Sequence, residues 1–176
     1  MKRSDMITNW NVSDESPSEQ LLNYARAYLG AAVAVCEHMT LRADAHTWEM
    51  AAVANMLAAH SVELFFKGMI VGREPQFALG SHDIDYLIGE FKRRFPDAVL
   101  NENIPYRTIW VAEAPTDLES WRCQRTDPSL QFRYPFDRQK QPWIEKCVVE
   151  PQKFKEYLLD WNQEAERVAQ LVAKPI

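Results

Sequence analysis

Four stretches of the chain repeat apolar residues every three or four positions, and each predicts a helix. In the first, Leu21, Tyr24, Tyr28, Leu29, Ala32, Cys36 and Met39 fall on one face, the period of an amphipathic helix. Ser16-Pro17-Ser18-Glu19 marks its start: Ser16 can cap, Pro17 suits the first helical position, and Glu19 completes a capping box. This helix is predicted to reach Arg42. The second, from His46 to Val71, carries Trp48, Ala52, Asn55, Met56, Ala59, Val62, Phe66 and Met69 on one stripe, with Gly72 as its terminator. The third is shorter. Ser81 is its predicted N-cap, and Asp83 and Asp85 in the first turn and Lys92, Arg93 and Arg94 in the last suit the helix dipole. Ile84, Leu87, Ile88, Phe91 and Phe95 form its apolar face, and Pro96 stops it. The last helix runs from Pro151 to Ala173 with Phe154, Leu158, Trp161, Ala165, Val168 and Val172 inward.

Residues 97–149 hold no period, and six of the ten prolines lie between 96 and 142. Loops with short pieces are expected there, including a strand fragment at Ile109-Trp110-Val111 and a helical turn at Asp117–Arg122. Long irregular segments of this kind often carry function. Residues 1–15 are polar and aperiodic, an N-terminal arm, and 16–176 form one domain. The expected fold is all-α: an antiparallel bundle of four main helices with a long irregular insertion, about residues 97–149, before the last.

With 176 residues the chain has the length of a single domain. Only five Gly argue against a Gly-rich all-β fold, and a net charge of −5 excludes a global polycation. No apolar run approaches the ~20 residues of a membrane span, and the N-terminus lacks the apolar core of a signal peptide, so a cytoplasmic protein is expected. Cys36, Cys123 and Cys147 have no CxxC spacing and fit neither a disulfide framework nor a zinc knuckle. Cys36, in AVAVCEHM, reads as a buried small hydrophobe.

The stretch AAHSVELFFKGMIVGREPQFALGSHDIDYLIGEF combines an Ala-rich apolar helix, Glu63, then Lys67, and His82 at the next helix with Ile84 and Leu87 behind it. Together with Phe132-Arg133-Tyr134-Pro135 before the last helix, it resembles the HEPN domain family. The resemblance implies a helical bundle, often dimeric. Many members are metal-independent ribonucleases, including toxins paired with antitoxins, and others bind nucleotides, RNA or proteins. The ribonuclease members place an Arg, then four to six intervening residues, then a His at the start of the last long helix, where His moves protons and Arg stabilises the phosphorane charge. This chain departs from that pattern. Its histidines are His38, His46, His60 and His82, none follows an Arg at that spacing, and none occurs after residue 82.

Three sets of residues are candidates for chemistry. His60, Glu63 and Lys67 share a helical side and, with His82, form either a structural polar cluster or the wall of a polar pocket facing a phosphate or a base. His82 is also a catalytic candidate if Arg133 is brought to it. The segment 120–146 sets six cations against three acids, +3, leaving −8 for the remainder. Arg122, Arg125, Arg133, Arg138 and Lys140, interleaved with Tyr134 and other aromatics, suit phosphates and unpaired bases, or else anchor a long loop. Arg42 and His46 read as solvated turn residues. No HExxH, Gly-rich phosphate loop or GxSxG is present, and no metal or cofactor is expected. The expected function is a HEPN-like protein, more a binder than an enzyme, taking RNA or a nucleotide, in a toxin–antitoxin or defence-type system. The alternatives are a metal-independent endoribonuclease using His82 with Arg133, and a dimerisation module without a ligand. Expected partners are a second copy of the chain and a nucleotidyltransferase-like or antitoxin protein.

Overall fold

The computed structural model describes residues 15–101, 104–105 and 149–173. They form four α-helices, α1 (Pro17–Leu41), α2 (Trp48–Arg73), α3 (Ile84–Arg94) and α4 (Pro151–Ala173), with a 3-10 turn at Ala43–Ala45. No strand occurs among the described residues, and the expected all-α, four-helix architecture is the one observed. Most of the arm, the strand fragment at Ile109–Val111 and the turn at Asp117–Arg122 lie outside the described residues.

Local chemistry sets the helix ends. Ser16 accepts from the Glu19 backbone N–H at 3.2 Å, while the Glu19 carboxylate accepts from the Ser16 N–H at 2.8 Å. This capping box satisfies two otherwise orphaned groups. Thr47 caps α2 by accepting from the Met50 N–H. α3 begins later than the sequence suggests. Its cap is Asp83, which accepts from the Tyr86 N–H at 3.0 Å, and Ser81 only accepts from the Asp83 N–H. Both residues are good caps, and the one whose oxygen reaches the third following amide sets the boundary.

Paired contacts give the directions. Ser18 donates to the Gly68 carbonyl and Ser61 to the Ala25 carbonyl, both at 2.8 Å. Rising numbers on α1 therefore meet falling numbers on α2. Arg26 pairs with Glu166 at 2.6 Å and Lys155 with Glu37 at 3.8 Å, so α4 also runs antiparallel to α1. α3 docks Phe91 against Phe66 and ties Arg94 to Glu74. It thus advances towards the C-terminal end of α2.

α2 is the central helix. From Ala58 to Val71 every residue is buried except the half-buried His60 and Leu64, the signature of a helix enclosed by neighbours. Against it lie Ala25, Leu29, Ala32, Cys36 and Met39 of α1, Ile84, Leu87, Ile88 and Phe91 of α3, and Phe154, Leu158, Trp161 and Val168 of α4. Two residues predicted inward are not: Tyr24 is 52% exposed and Trp48 44%. Tyr24 sits about 100° around α1 from the buried Ala25 line, and Trp48 is the first residue of α2, at the edge of the packed region. The thiol of Cys36 is buried, and burial pushes it up to about 11 despite the opposing field of Lys155. It is therefore a packing residue and not a nucleophile.

Gly72 does not end α2 but lies inside it. A Cβ there would meet Ser18 Oγ at 2.9 Å, and one at Gly68 would meet Leu22 Cγ and Cδ2 at 2.9 Å. Both glycines let α1 and α2 approach closely. Gly68→Ala is accordingly expected to lower stability by about 1–3 kcal/mol through overpacking, although Ala is the better helix former by about 1 kcal/mol. Urea unfolding tests this, and an unchanged midpoint would show that Leu22 yields freely.

Candidate functional site

The second half of α2 places His60, Glu63 and Lys67 on successive turns of one side. The link after α2 folds back along it. Arg94 fastens this return by pairing with Glu74 and Glu90 and lying 4.9 Å over the Phe77 ring. The return brings His82 opposite Glu63. Lys67 Nζ donates to Glu63 Oε1 at 2.7 Å, and His82 Nδ1 lies 3.0 Å from the same oxygen. His60 Nδ1 stands 3.7 Å from Glu63 Oε2, beyond hydrogen-bond reach, and has no hydrogen-bond partner among the described residues. The His60 ring meets Tyr28 edge-on, with centroids 4.5 Å apart.

Glu63 is only 2% exposed and Lys67 4%, whereas the His82 side chain is 64% exposed. Burial by itself would raise the Glu63 carboxyl. The neighbouring His60, Lys67 and His82 outweigh it and hold Glu63 down at about 2. An ionised carboxylate only accepts, so His82 must donate its Nδ1–H. Nδ1 faces the protein, while most of the His82 side chain is exposed. A carboxylate that fixes the tautomer and orientation of an exposed imidazole produces a directed surface acceptor, or a donor when the ring is protonated.

The four residues expected at a polar pocket are thus brought together, but as a closed cluster. Glu63 and Lys67 form its floor and His82, with part of His60, reaches the surface. Arg122, Arg125, Arg133, Tyr134, Arg138 and Lys140 lie outside the described residues. The pairing of His82 with Arg133 has no described geometry. Arg42 pairs with Asp44 at 2.8 Å at the exposed first corner, in keeping with a turn residue. Among the described residues no group of three His, Cys, Asp or Glu could hold a metal ion, and no helix is long and apolar enough to cross a membrane.

No family model matches the chain, and neither does a curated protein or a solved structure.

One polar cluster escaped the sequence reading. Glu164, buried on α4, accepts from the Asn101 N–H at 2.8 Å and from Arg167 at 2.7 Å, while Arg167 also donates to the Val99 carbonyl at 2.6 Å. This pins the chain beyond α3 onto α4. The i,i+3 Glu–Arg spacing was visible, but ordinary surface pairs share it.

The Glu63 carboxylate makes stability depend on pH. Its folded value near 2 lies below the ordinary 4.5. Its stabilising contribution is therefore complete above pH 4.5 and is lost as pH falls from there towards 2. Thermal unfolding of the wild type is expected to weaken across that window, with a visibly shallower dependence in Glu63→Gln. Equal slopes would place the acid sensitivity elsewhere.

Proposed function

We propose that this chain is a HEPN-like helical protein that binds RNA or a nucleotide without cutting it, in a toxin–antitoxin or defence-type setting. The last helix carries the proposal. From Pro151 to Ala173 it contains no His, and its one Arg, Arg167, is occupied by Glu164 and the Val99 carbonyl. The acid–base His and free Arg of a metal-independent ribonuclease have no counterparts there. The basic and aromatic residues between 120 and 146 supply phosphate and base contacts in this proposal. A homodimer and an antitoxin-like or nucleotidyltransferase-like partner belong to it as well.

The test is a denaturing gel of structured RNA incubated with the protein in EDTA, followed by a binding titration at rising salt. Intact RNA is expected, bound with an affinity that falls steeply as salt increases. Absence of binding at low salt would favour the dimerisation module. A second reading, the ribonuclease, draws on the Glu63–His82 contact, which holds an exposed imidazole in a fixed orientation. Defined products lost in both His82→Ala and Arg133→Ala would establish it and overturn the binding-only proposal.

A further inference from the structure

We propose that the outward face of α1 docks on the same face of a second copy of this chain, with the two helices antiparallel. The inference deepens the homodimer of the proposal above and rests on it. Tyr24, Ala27, Ala31, Ala34, His38 and Leu41 are all exposed and recur every three or four residues. They therefore share one side of α1, away from the buried line of Ala25, Leu29, Ala32, Cys36 and Met39. No Asp, Glu, Lys or Arg stands among them. The exposed Arg26 and Glu37 lie along the border with α4, where Arg26 pairs with Glu166 and Glu37 with Lys155. By contrast, Asp85, Lys92 and Arg93 are exposed on α3, and Lys153, Glu156, Asp160 and Arg167 on α4. An uncharged, exposed helix face of this length marks an interaction surface. Gly30 lies beside its middle. The missing Cβ atoms of Gly68 and Gly72 are explained by contact with α1, but a Cβ at Gly30 would meet nothing within 4 Å. Glycine weakens a helix interior relative to alanine, and the close approach of a partner gives it a use here. Gly89 is equally open, but it lies among Asp85, Lys92 and Arg93.

What selects a second copy is the symmetry of the pattern. A two-fold interface is self-complementary: if one residue meets another, the second meets the first in return. The spacings from Tyr24 to Leu41 run 3, 4, 3, 4, 3, the same from either end, about a centre between Ala32 and Val33. Antiparallel pairing about that centre sets Tyr24 against Leu41 of the second copy, Ala27 against His38, and Ala31 against Ala34. The bulkiest side chains fall at the ends and alanines in the middle, where they let the axes approach to the short end of the ~8–10 Å range. Charge agrees. The same pairing brings Arg26 within one helical turn of the level of Glu37 in the second copy, whereas a parallel pairing would set each against its like. The face is ~26 Å long, at ~1.5 Å of rise per residue. One helix pair of that length falls short of the ~1,600 Å² of a standard interface, so the expected Kd is on the order of 10 μM.

The experiment is sedimentation velocity of the full chain from well below to well above that concentration. The wild type is expected to pass from monomer to dimer. Ala31→Glu with Ala34→Glu crowds carboxylates of both copies at the crossing and is expected to weaken association more than about tenfold. Ala31→Glu with Ala34→Lys sets Glu against Lys across an antiparallel pair, but like against like across a parallel one. It is expected to recover most of the association. Both positions are exposed, and glutamate and lysine are good helix formers, so thermal unfolding in dilute solution is expected to stay close to that of the wild type. A wild-type dimer that persists in the double-glutamate variant overturns the inference and leaves the homodimer to another surface. Loss of association in both variants overturns the antiparallel pairing. A wild type that stays monomeric at every concentration removes the homodimer and the inference with it, and leaves the face to a different protein.

Discussion

Glu63→Ala is expected to destabilise the protein by about 3–5 kcal/mol, the cost of leaving one partner of a buried ion pair uncompensated. The stranded group is the Lys67 ammonium, which donates to Glu63 at 2.7 Å and is almost fully withdrawn from water. Replacing both, as Glu63→Leu with Lys67→Met, removes the stranded charge and is expected to restore most of the loss. Urea unfolding of the single and double variants measures the difference between them. A single-variant loss below about 1 kcal/mol would mean that the Lys67 stem lets its ammonium reach water when Glu63 is gone. The double variant has a second use: it retains the fold but deprives His82 of its acceptor.

Trp161→Ala is expected to cost a similar amount, about 3–5 kcal/mol. Trp161 is 1% exposed and sits where α4 meets α2, with its ring 5.5 Å from Phe65 and 6.1 Å from Phe66. Phe66 in turn meets Phe91 of α3 edge to face, so the cavity opens beside residues from three helices and cannot collapse onto one neighbour. Trp48→Ala is the control. Exposed at the start of α2, Trp48 is expected to contribute less than about 0.5 kcal/mol. Comparable losses for the two tryptophans would contradict the arrangement of the core.

Features that depend on neighbours in sequence were legible. The Ser16–Glu19 capping box and the bounds of α4 follow from residues three or four apart and stand as expected. Features set by tertiary approach were misread. Gly72 has the look of a helix terminator, but its missing Cβ serves contact with Ser18 of another helix. Tyr24 fits the period of α1, yet the packed line runs through Ala25 instead. At the candidate site, the i,i+4 step from Glu63 to Lys67 was plain. That His82 would donate to that same carboxylate was not, because the contact depends on how residues 74–83 return along α2.

The site straddles a joint between unequal helices. α2 is enclosed by the other three, whereas α3 has only 11 residues and packs chiefly on α2. A helix that short does not persist in water without its docking face. In native-state amide exchange, α2 should be the last to release its protons and α3 among the first, through a sub-global opening in which α3 lifts away while the α1–α2–α4 unit persists. That excursion would part His82 from Glu63 and hydrate the Lys67 pair, erasing the directed imidazole without unfolding the protein. A ligand gripping His82 would oppose the excursion, so its footprint would appear as slowed exchange along the whole of α3 and not only at the residues it touches.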